Sequence, residues 1–417
     1  MRILLIGASG FIGRHLLHTL HRAGHDVTGA GRGAAPAGID GPWRTLAMAD
    51  LHHASAWLPA IEGFDAVIYG LGVFRAADHA SYDRIHHAIP AALFVACEQA
   101  DVRRVIYLSA LGSDANAATP YWRSKGRGED ALRSGKLDYT IVRPSLVYGD
   151  DGASSRLFRA LASLPVAALP AAGEVQPVHI DDLCDAIAAL LRPEHRHVRK
   201  LDAVGPKPMP LPSYLEELRR GMQAGRALVL RIPMALAQLA APLAALHPGS
   251  PVTPDALTML KHGSTADASA MYTLLERTMR TPATFATPAL RPDAVLAWTM
   301  PLARLALAVM WLWTAYVSWF AWPHEESLAW LAACGVPASL QTPMLAGASV
   351  LDAAIGCALL LRPRRWLWPA QAALVGGYTV IMSVCLPGFW LHPFGPLLKN
   401  LPILALLLLM WRLQGRK

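Results

Sequence analysis

Apolar residues in the first half of the chain come in short unbroken runs, each followed by a longer stretch in which they recur at helical spacing. Ile3 to Ile6 reads as a buried strand, and an amphipathic helix follows from Phe11 to Ala23. The alternation continues with strands at His25 to Ala30, Phe64 to Tyr69, Arg104 to Leu108 and Leu137 to Val142. Helices are expected at Tyr82 to Ala100 (despite Pro90) and at Tyr121 to Ser134, and a short one follows Asp50-Leu51. A further short strand, Glu174 to Ile180, leads into a helix at Asp181 to Leu191. Strands alternating with helices of this length predict an α/β, Rossmann-type, doubly wound parallel sheet.

The pattern then changes twice. From Pro206 to Arg280 it is helical and broken by prolines, which suits a separate small helical lobe at about 206–280. Within it, Val229 to Leu246 is apolar and without acids, a lobe helix or an amphipathic segment at a membrane surface. Thr281 to Pro292 reads as a linker. Beyond it lie four candidate membrane spans, Leu305–Trp322, Met344–Leu361, Trp366–Leu386 and Leu397–Leu413, the last short and strained by Lys399. Tryptophans crowd their ends, as an interfacial belt would. The expected domains are therefore 1–285, a linker at 286–304, and an all-α four-helix transmembrane bundle at 305–417.

Composition agrees with this division. The 417 residues are 53% apolar and 16% charged, and the apolar excess is concentrated in the tail. The net charge of +8 is scattered, which suits an anionic cofactor and phospholipid better than nucleic acid. Five separated cysteines imply neither a disulfide framework nor a zinc site. Arg304, then Arg362, Arg364 and Arg365, then Arg412, Arg416 and Lys417 flank the spans on one side, so both termini and the nucleotide domain are expected in the cytoplasm, on the cell (inner) membrane. No signal peptide is read, since the first strand starts at once. Asp352 and Lys399 are costly in lipid, and read either as a mutual ion pair or as a functional site, with His392 as a possible neighbour.

Two constellations carry chemistry. Gly7, Gly10 and Gly13 lie between a strand and a helix, where a dinucleotide fingerprint needs them, with Ser9, Phe11 and Ile12 in the same turn. The glycines allow a sharp turn, close approach of a pyrophosphate and tight helix packing. Arg32, at the end of the second strand where an acid would bond a ribose hydroxyl, favours NADP(H) over NAD(H). Asp50 with Leu51, and Gly70, Leu71 and Gly72 after the strand at Phe64 to Tyr69, complete the candidate cofactor contacts. The second constellation is Ser109, Tyr121 and Lys125. Tyr121 and Lys125 share a helix face, so the ammonium is expected to lower the phenol's pKa and make it a proton carrier, while Ser109 holds the same substrate oxygen.

The stretches GASGFIG, YLSALG, YWRSK, IVRPSLVYG and QPVHIDDL, in that order, resemble the extended or atypical short-chain dehydrogenase/reductase superfamily. The nearest branch is that of the nucleotide-binding accessory subunit of respiratory complex I and its bacterial relatives, to which PVTPDALTMLKHG (Pro251 to Gly263) is also similar. The resemblance implies Tyr121 as acid/base, Lys125 as its activator and a nicotinamide-ribose ligand, and Pro144, Ser145 and Val147 along the nicotinamide side. It assigns His179 to a substrate-domain strand, where it reads as structural. The tail, above all HPFGPLLKNLPIL, resembles the DoxX-like four-helix membrane family, associated with quinone-linked redox steps.

These readings predict a membrane-anchored NAD(P)H-dependent oxidoreductase acting on a carbonyl, alcohol or quinone-like lipophilic substrate, such as a quinone or lipid intermediate, with the bilayer as partner. One alternative is a catalytically silent NADPH-binding subunit of a membrane redox complex. Another is an NAD-dependent sugar-nucleotide epimerase or dehydratase.

Overall fold

The computed structural model describes residues 1–39, 41–47, 50–74, 78–170, 173–245, 253–361 and 363–414, in two compact units, Met1–Val295 and Leu296–Lys417. Arg362, Arg416 and Lys417 of the basic flanks, and Leu246, Pro251 and Val252 of the stretches above, lie outside the described residues.

The first unit opens with β1 (Arg2–Ile6), α1 (Phe11–Arg22), β2 (Asp26–Gly31), β3 (Trp43–Thr45), α2 (Ala54–Ile61) and β4 (Ala66–Tyr69). It continues with α3 (His79–Asp83), α4 (Ile89–Gln99), β5 (Arg104–Leu108), α5 (Pro120–Arg133) and β6 (Tyr139–Pro144). A π-turn, Arg84–Ala88, joins α3 to α4 and interrupts the single helix expected there. The second part of the unit holds β7 (Val147–Tyr148), α6 (Ala153–Ser163), β8 (Val166–Pro170), β9 (Glu174–Val175), β10 (Val178–His179), α7 (Ile180–Ala189) and β11 (Lys200–Ala203). Then come β12 (Met209–Pro210), α8 (Leu211–Gly221), β13 (Leu228–Ile232), α9 (Met234–Ala245), α10 (Pro254–His262) and α11 (Ser269–Leu275).

Seven strands form one parallel sheet in the order β11-β6-β5-β4-β1-β2-β3. Its two faces are covered separately, which is why β1 is apolar from Ile3 to Ile6. Ile3 and Leu5 pack against Leu16 and Leu20 of α1 and Leu183 and Ile187 of α7, while Leu4 and Ile6 meet Trp57 of α2 and Leu93 and Phe94 of α4. The strand order reverses between β1 and β4, and a crevice at the carboxyl ends of strands at such a switch point is where ligands bind in this architecture.

The lobe is less helical than its sequence suggests. Leu228–Ile232 is a strand paired with β8, because Val229 and Ile232 are β-branched and Pro233 holds Ile232 out of the helical region. The stretch expected as one strand at 174–180 is split by Pro177 into β9 and β10, which pair with different partners. Leu211, Tyr214, Leu215, Leu218 and Phe285 form the lobe core with Tyr148 and Leu169.

A continuous helix, α12 (Arg291–Tyr316), occupies much of the expected linker: Pro292 is tolerated in its first turn, and the helix runs on through Pro301 in its interior. The second unit adds α13 (His324–Ala333), α14 (Ala338–Leu361), α15 (Leu367–Cys385) and α16 (Asn400–Leu413). Three helical stretches, Pro288–Ala321, Ala338–Leu361 and Leu367–Cys385, are long and apolar enough to cross a membrane; α16, with 14 residues, is shorter. Leu307, Trp311, Leu359, Trp368, Val375 and Leu407 form the core of this unit. Gly356 lets α14 approach α12, since a Cβ there would meet Leu312 Cγ at 2.6 Å. Trp311 Nε1 donates to Gln371 Oε1 at 2.8 Å inside the bundle. Asp352 is buried but makes no ion pair with Lys399, whose side chain is exposed, so the structural pairing expected between them is absent among the described residues.

Candidate active site

Gly7 takes φ +87°, and a Cβ there would stand 2.8 Å from the backbone of Gly70 and Leu71. At Gly13 a Cβ would meet the Gly7 carbonyl oxygen at 2.1 Å, so both positions exclude a side chain. Gly10 caps α1 without any side-chain bond, which leaves the first-turn N–H groups of Phe11, Ile12 and Gly13 without a capping side chain. Ser9 is exposed in this turn, and its carbonyl accepts from Arg14 Nη1 at 2.9 Å. Gly70 N donates to Ile6 O at 2.9 Å, which ties the β4 end, with Leu71 and Gly72 following, to the same edge. This cradle of bare glycines and unpartnered amides fits a dinucleotide pyrophosphate.

Arg32 stands exposed one residue past β2 and makes no hydrogen bond or ion pair with the described residues. Asp50 is exposed in a turn. Leu51 departs from its expected role: it is buried in the core, and its carbonyl accepts from Trp57 Nε1 at 2.8 Å. Pro144 ends β6, Ser145 Oγ donates to Gln176 O at 2.6 Å, and Val147 pairs with Val178.

Ser109, Tyr121 and Lys125, the candidate trio, are placed by β5 and α5. Thr119 caps α5, so that Tyr121 and Lys125 lie on consecutive turns. Lys125 is 3% exposed, its Nζ donates to Leu108 O at 2.6 Å, and it lies over the Tyr107 ring at 5.1 Å. Burial pulls the ammonium pKa down to about 7, against an opposing effect of Glu129. Tyr121 sits among aromatic rings, 5.5 Å from Phe74, 6.1 Å from Tyr82 and 5.4 Å from His86. Burial and then Tyr82 push its phenol up to about 12, opposite to the direction expected from the YxxxK spacing. The reason is geometric: the ammonium is committed to the Leu108 carbonyl, and apolar rings desolvate the phenolate. Ser109 also departs from expectation, because its hydroxyl donates to Glu129 Oε1 at 2.6 Å.

Sequence reasoning passed over two groups here. His86 is fully buried in the π-turn, which Tyr69 and Tyr107, paired on β4 and β5, hold by donating to the Ile85 and His86 carbonyls at 2.6 and 2.7 Å. His86 Nε2 accepts from Val73 N at 3.1 Å, so Nδ1 carries the proton and donates to Ser124 Oγ at 2.9 Å. Ser124 Oγ in turn donates to the Tyr121 carbonyl at 2.8 Å. Burial, and secondarily Lys125, pull His86 down to about 2, so it stays neutral. The second group is Glu129, fully buried, which bonds Arg143 and takes an ion pair from Arg133 at 2.5 Å. Its position one turn past Lys125 was readable from the 121/125/129 spacing; no local signal marked His86. Removing Glu129 leaves Arg143 unpaired against the sheet, so Glu129→Ala is expected to cost about 3–5 kcal/mol of stability by denaturant unfolding.

His179 caps α7 by accepting from Asp181 N at 3.2 Å and lies 5.3 Å from the Phe285 ring, a structural placement. Among the described residues no group of His, Cys, Asp and Glu has the arrangement of a metal site.

Known proteins share these features. An NAD(P)H-binding family model matches residues 7–165, and a DoxX-like family model matches 308–408. The chain joins an NAD(P)-binding, atypical short-chain dehydrogenase/reductase-type domain to a DoxX-like domain. The dehydrogenase-type domain is similar to the ceramide reductase of Caulobacter vibrioides, 28% identical over 196 residues, 46% of this chain and 61% of that protein. It is similar too to the 40 kDa subunit of NADH-ubiquinone oxidoreductase of Neurospora crassa, 25% identical over 210 residues, 49% of this chain and 55% of the subunit. The chain thus spans somewhat over half the length of these relatives. In fold, the dehydrogenase-type domain matches human epimerase family protein SDR39U1, solved with NADPH, at a TM-score of 0.52 and 18% identity, over 70% of this chain and 99% of that one. UDP-N-acetylglucosamine 4-epimerase of Bacillus cereus matches at 0.52 and 14% identity, over 72% and 96%.

Proposed function

We propose that this chain is a membrane-anchored, NADP(H)-dependent oxidoreductase that interconverts a carbonyl and an alcohol on a lipophilic substrate. The observation that carries the reading is Tyr121, one helical turn from Lys125 and facing Phe74, Tyr82 and His86, with Lys125 Nζ 3.5 Å from where a Cβ on Gly72 would stand, two residues past the Gly70 that closes on Gly7. Bound dinucleotide supplies the hydride at nicotinamide C4. Gly7, Gly10 and Gly13 hold its pyrophosphate at the N-terminus of α1, Arg32 pairs the 2′-phosphate, and Lys125 reaches the nicotinamide ribose. Tyr121, protonated at neutral pH, gives its proton to the substrate oxygen, which favours the reductive direction. The rings of Phe74, Tyr82 and His86 suit a flat or apolar group at the reacting carbon. The basic flanks of the spans favour a cytoplasmic dehydrogenase-type domain, where NADPH is available.

The experiment that tests this is anaerobic single-turnover oxidation of bound NADPH by quinone and lipophilic carbonyl pools, in detergent-purified full-length protein. Turnover of water-soluble sugar nucleotides alone would refute the substrate class. The rival reading, a silent NADPH-holding subunit of a membrane redox complex, draws on the engagement of Ser109 with Glu129 and on the relationship to a respiratory-complex subunit. NADPH that no pool oxidises would support it. An NAD-dependent sugar-nucleotide epimerase is disfavoured because the residue just past β2 is Arg32 and not an acid.

Two further results are expected. Arg32→Ala weakens NADPH binding about 10- to 100-fold, as loss of a charge-assisted hydrogen bond would, and leaves NADH binding unchanged in titration calorimetry. Because Lys125 is needed protonated and its pKa lies at about 7, kcat/KM falls as pH rises through that value; Lys125→Met lacks this limb.

A further inference from the structure

The lobe presents an apolar surface that its core does not use. Along β13, Leu228, Val229 and Leu230 are 59%, 42% and 46% exposed, and α9 adds Leu236 at 56% and Leu239 at 76%. β13 pairs with β8 alone, and β8 turns Ala167 and Leu169 into the lobe core while leaving Val166 outside. An apolar edge strand left open invites association, and soluble proteins ordinarily cover it or place charges on it.

The charges nearby have one sign. Arg226 and Arg231 are exposed at the start of β13 and within it, and neither guanidinium has a hydrogen bond or ion pair with the described residues. No Asp or Glu occurs between Leu218 and Pro254. Leucines interleaved with exposed arginines match the acyl boundary and phosphates of an anionic bilayer. The same chain carries three helices apolar and long enough to enter one, so the lobe is tethered to lipid at high effective concentration.

We infer that the β8–β13 ribbon and α9 form a membrane-contact surface that rests in the interfacial layer of an anionic phospholipid bilayer. The surface gives a lipophilic substrate a route between lipid and lobe. This inference rests on the proposed membrane anchoring, and its test reads the two separately.

The test uses the full-length chain, with Cys334, Cys357 and Cys385 replaced by Ala, in nanodiscs of phosphatidylglycerol and phosphatidylcholine. Single cysteines at Leu230→Cys, Leu239→Cys, Val350→Cys and Lys136→Cys carry an environment-sensitive fluorophore, quenched by nitroxide-labelled lipid. Position 350 lies in α14 and reports the span, whereas 136 is an exposed control. Labels at 230 and 239 are expected to blue-shift and to be quenched to about half the extent at 350, as interfacial depth requires, with 136 unquenched. Arg226→Glu with Arg231→Glu, or phosphatidylcholine alone, is expected to reduce quenching at 230 and 239 and leave 350 unchanged. Quenching at 230 and 239 no greater than at 136, with 350 quenched, overturns the inference and leaves the anchor standing. Shielding of 230 and 239 that persists in detergent and grows with protein concentration assigns the surface to a second copy, and also overturns it. An unquenched 350 overturns anchor and inference together. None of these readouts depends on turnover.

Discussion

Tyr121→Phe is expected to slow oxidation of bound NADPH by about 10²–10⁴-fold, the usual contribution of a positioned proton donor, while the dissociation constant for NADPH stays within about twofold of wild type. The split follows from the geometry. The phenol ring packs against Phe74, Tyr82 and His86, and these contacts survive loss of the hydroxyl. Single-turnover traces of nicotinamide absorbance, run beside equilibrium binding, read both quantities. A variant that oxidises NADPH as fast as wild type would remove Tyr121 from the proposed chemistry and strengthen the structural-subunit reading.

The second large effect is expected at Gly13. A valine there places Cβ against the Gly7 carbonyl, which α1 can relieve only by moving away from β1. Gly13→Val is therefore expected to abolish measurable binding of both NADPH and NADH, and overpacking costs about 1–3 kcal/mol of stability. Calorimetric titration and denaturant unfolding of the same preparation separate lost binding from lost fold. Retained binding would mean that the pyrophosphate is not held at this turn.

Much of the sheet was legible because burial on both faces forces strand segments such as Ile3–Ile6 and Val105–Leu108 into uninterrupted apolar runs. The glycine turn was legible because a backbone that leaves no room for Cβ admits one residue type. Short lobe strands gave little signal, since two-residue pairs such as Val178–His179 are made by their partners rather than by local preference. The protonation states of Tyr121 and Lys125 were illegible for a related reason. Spacing placed them on one helix face, but the direction of each shift depends on burial by side chains such as Phe74, Tyr82 and Tyr107, which come from other elements. His86 was hidden likewise, its role set by Val73, Ser124 and the two tyrosines that hold the π-turn.

The bond between Trp311 and Gln371 bears on how the second unit is assembled. Leu-rich faces in hydrocarbon slide and rotate against one another with little penalty, so apolar packing alone sets the pairing of α12 with α15 weakly. A buried amide that must find one indole N–H acts as a registration mark, much as a single polar residue fixes the alignment of a coiled coil. α12 precedes α15 in the chain, so in a helix-by-helix insertion its indole N–H would be without this acceptor until α15 joins it. Of the rotations open to the newly inserted helix, the one that brings Gln371 to Trp311 satisfies both groups, and the order of insertion thereby selects the native arrangement.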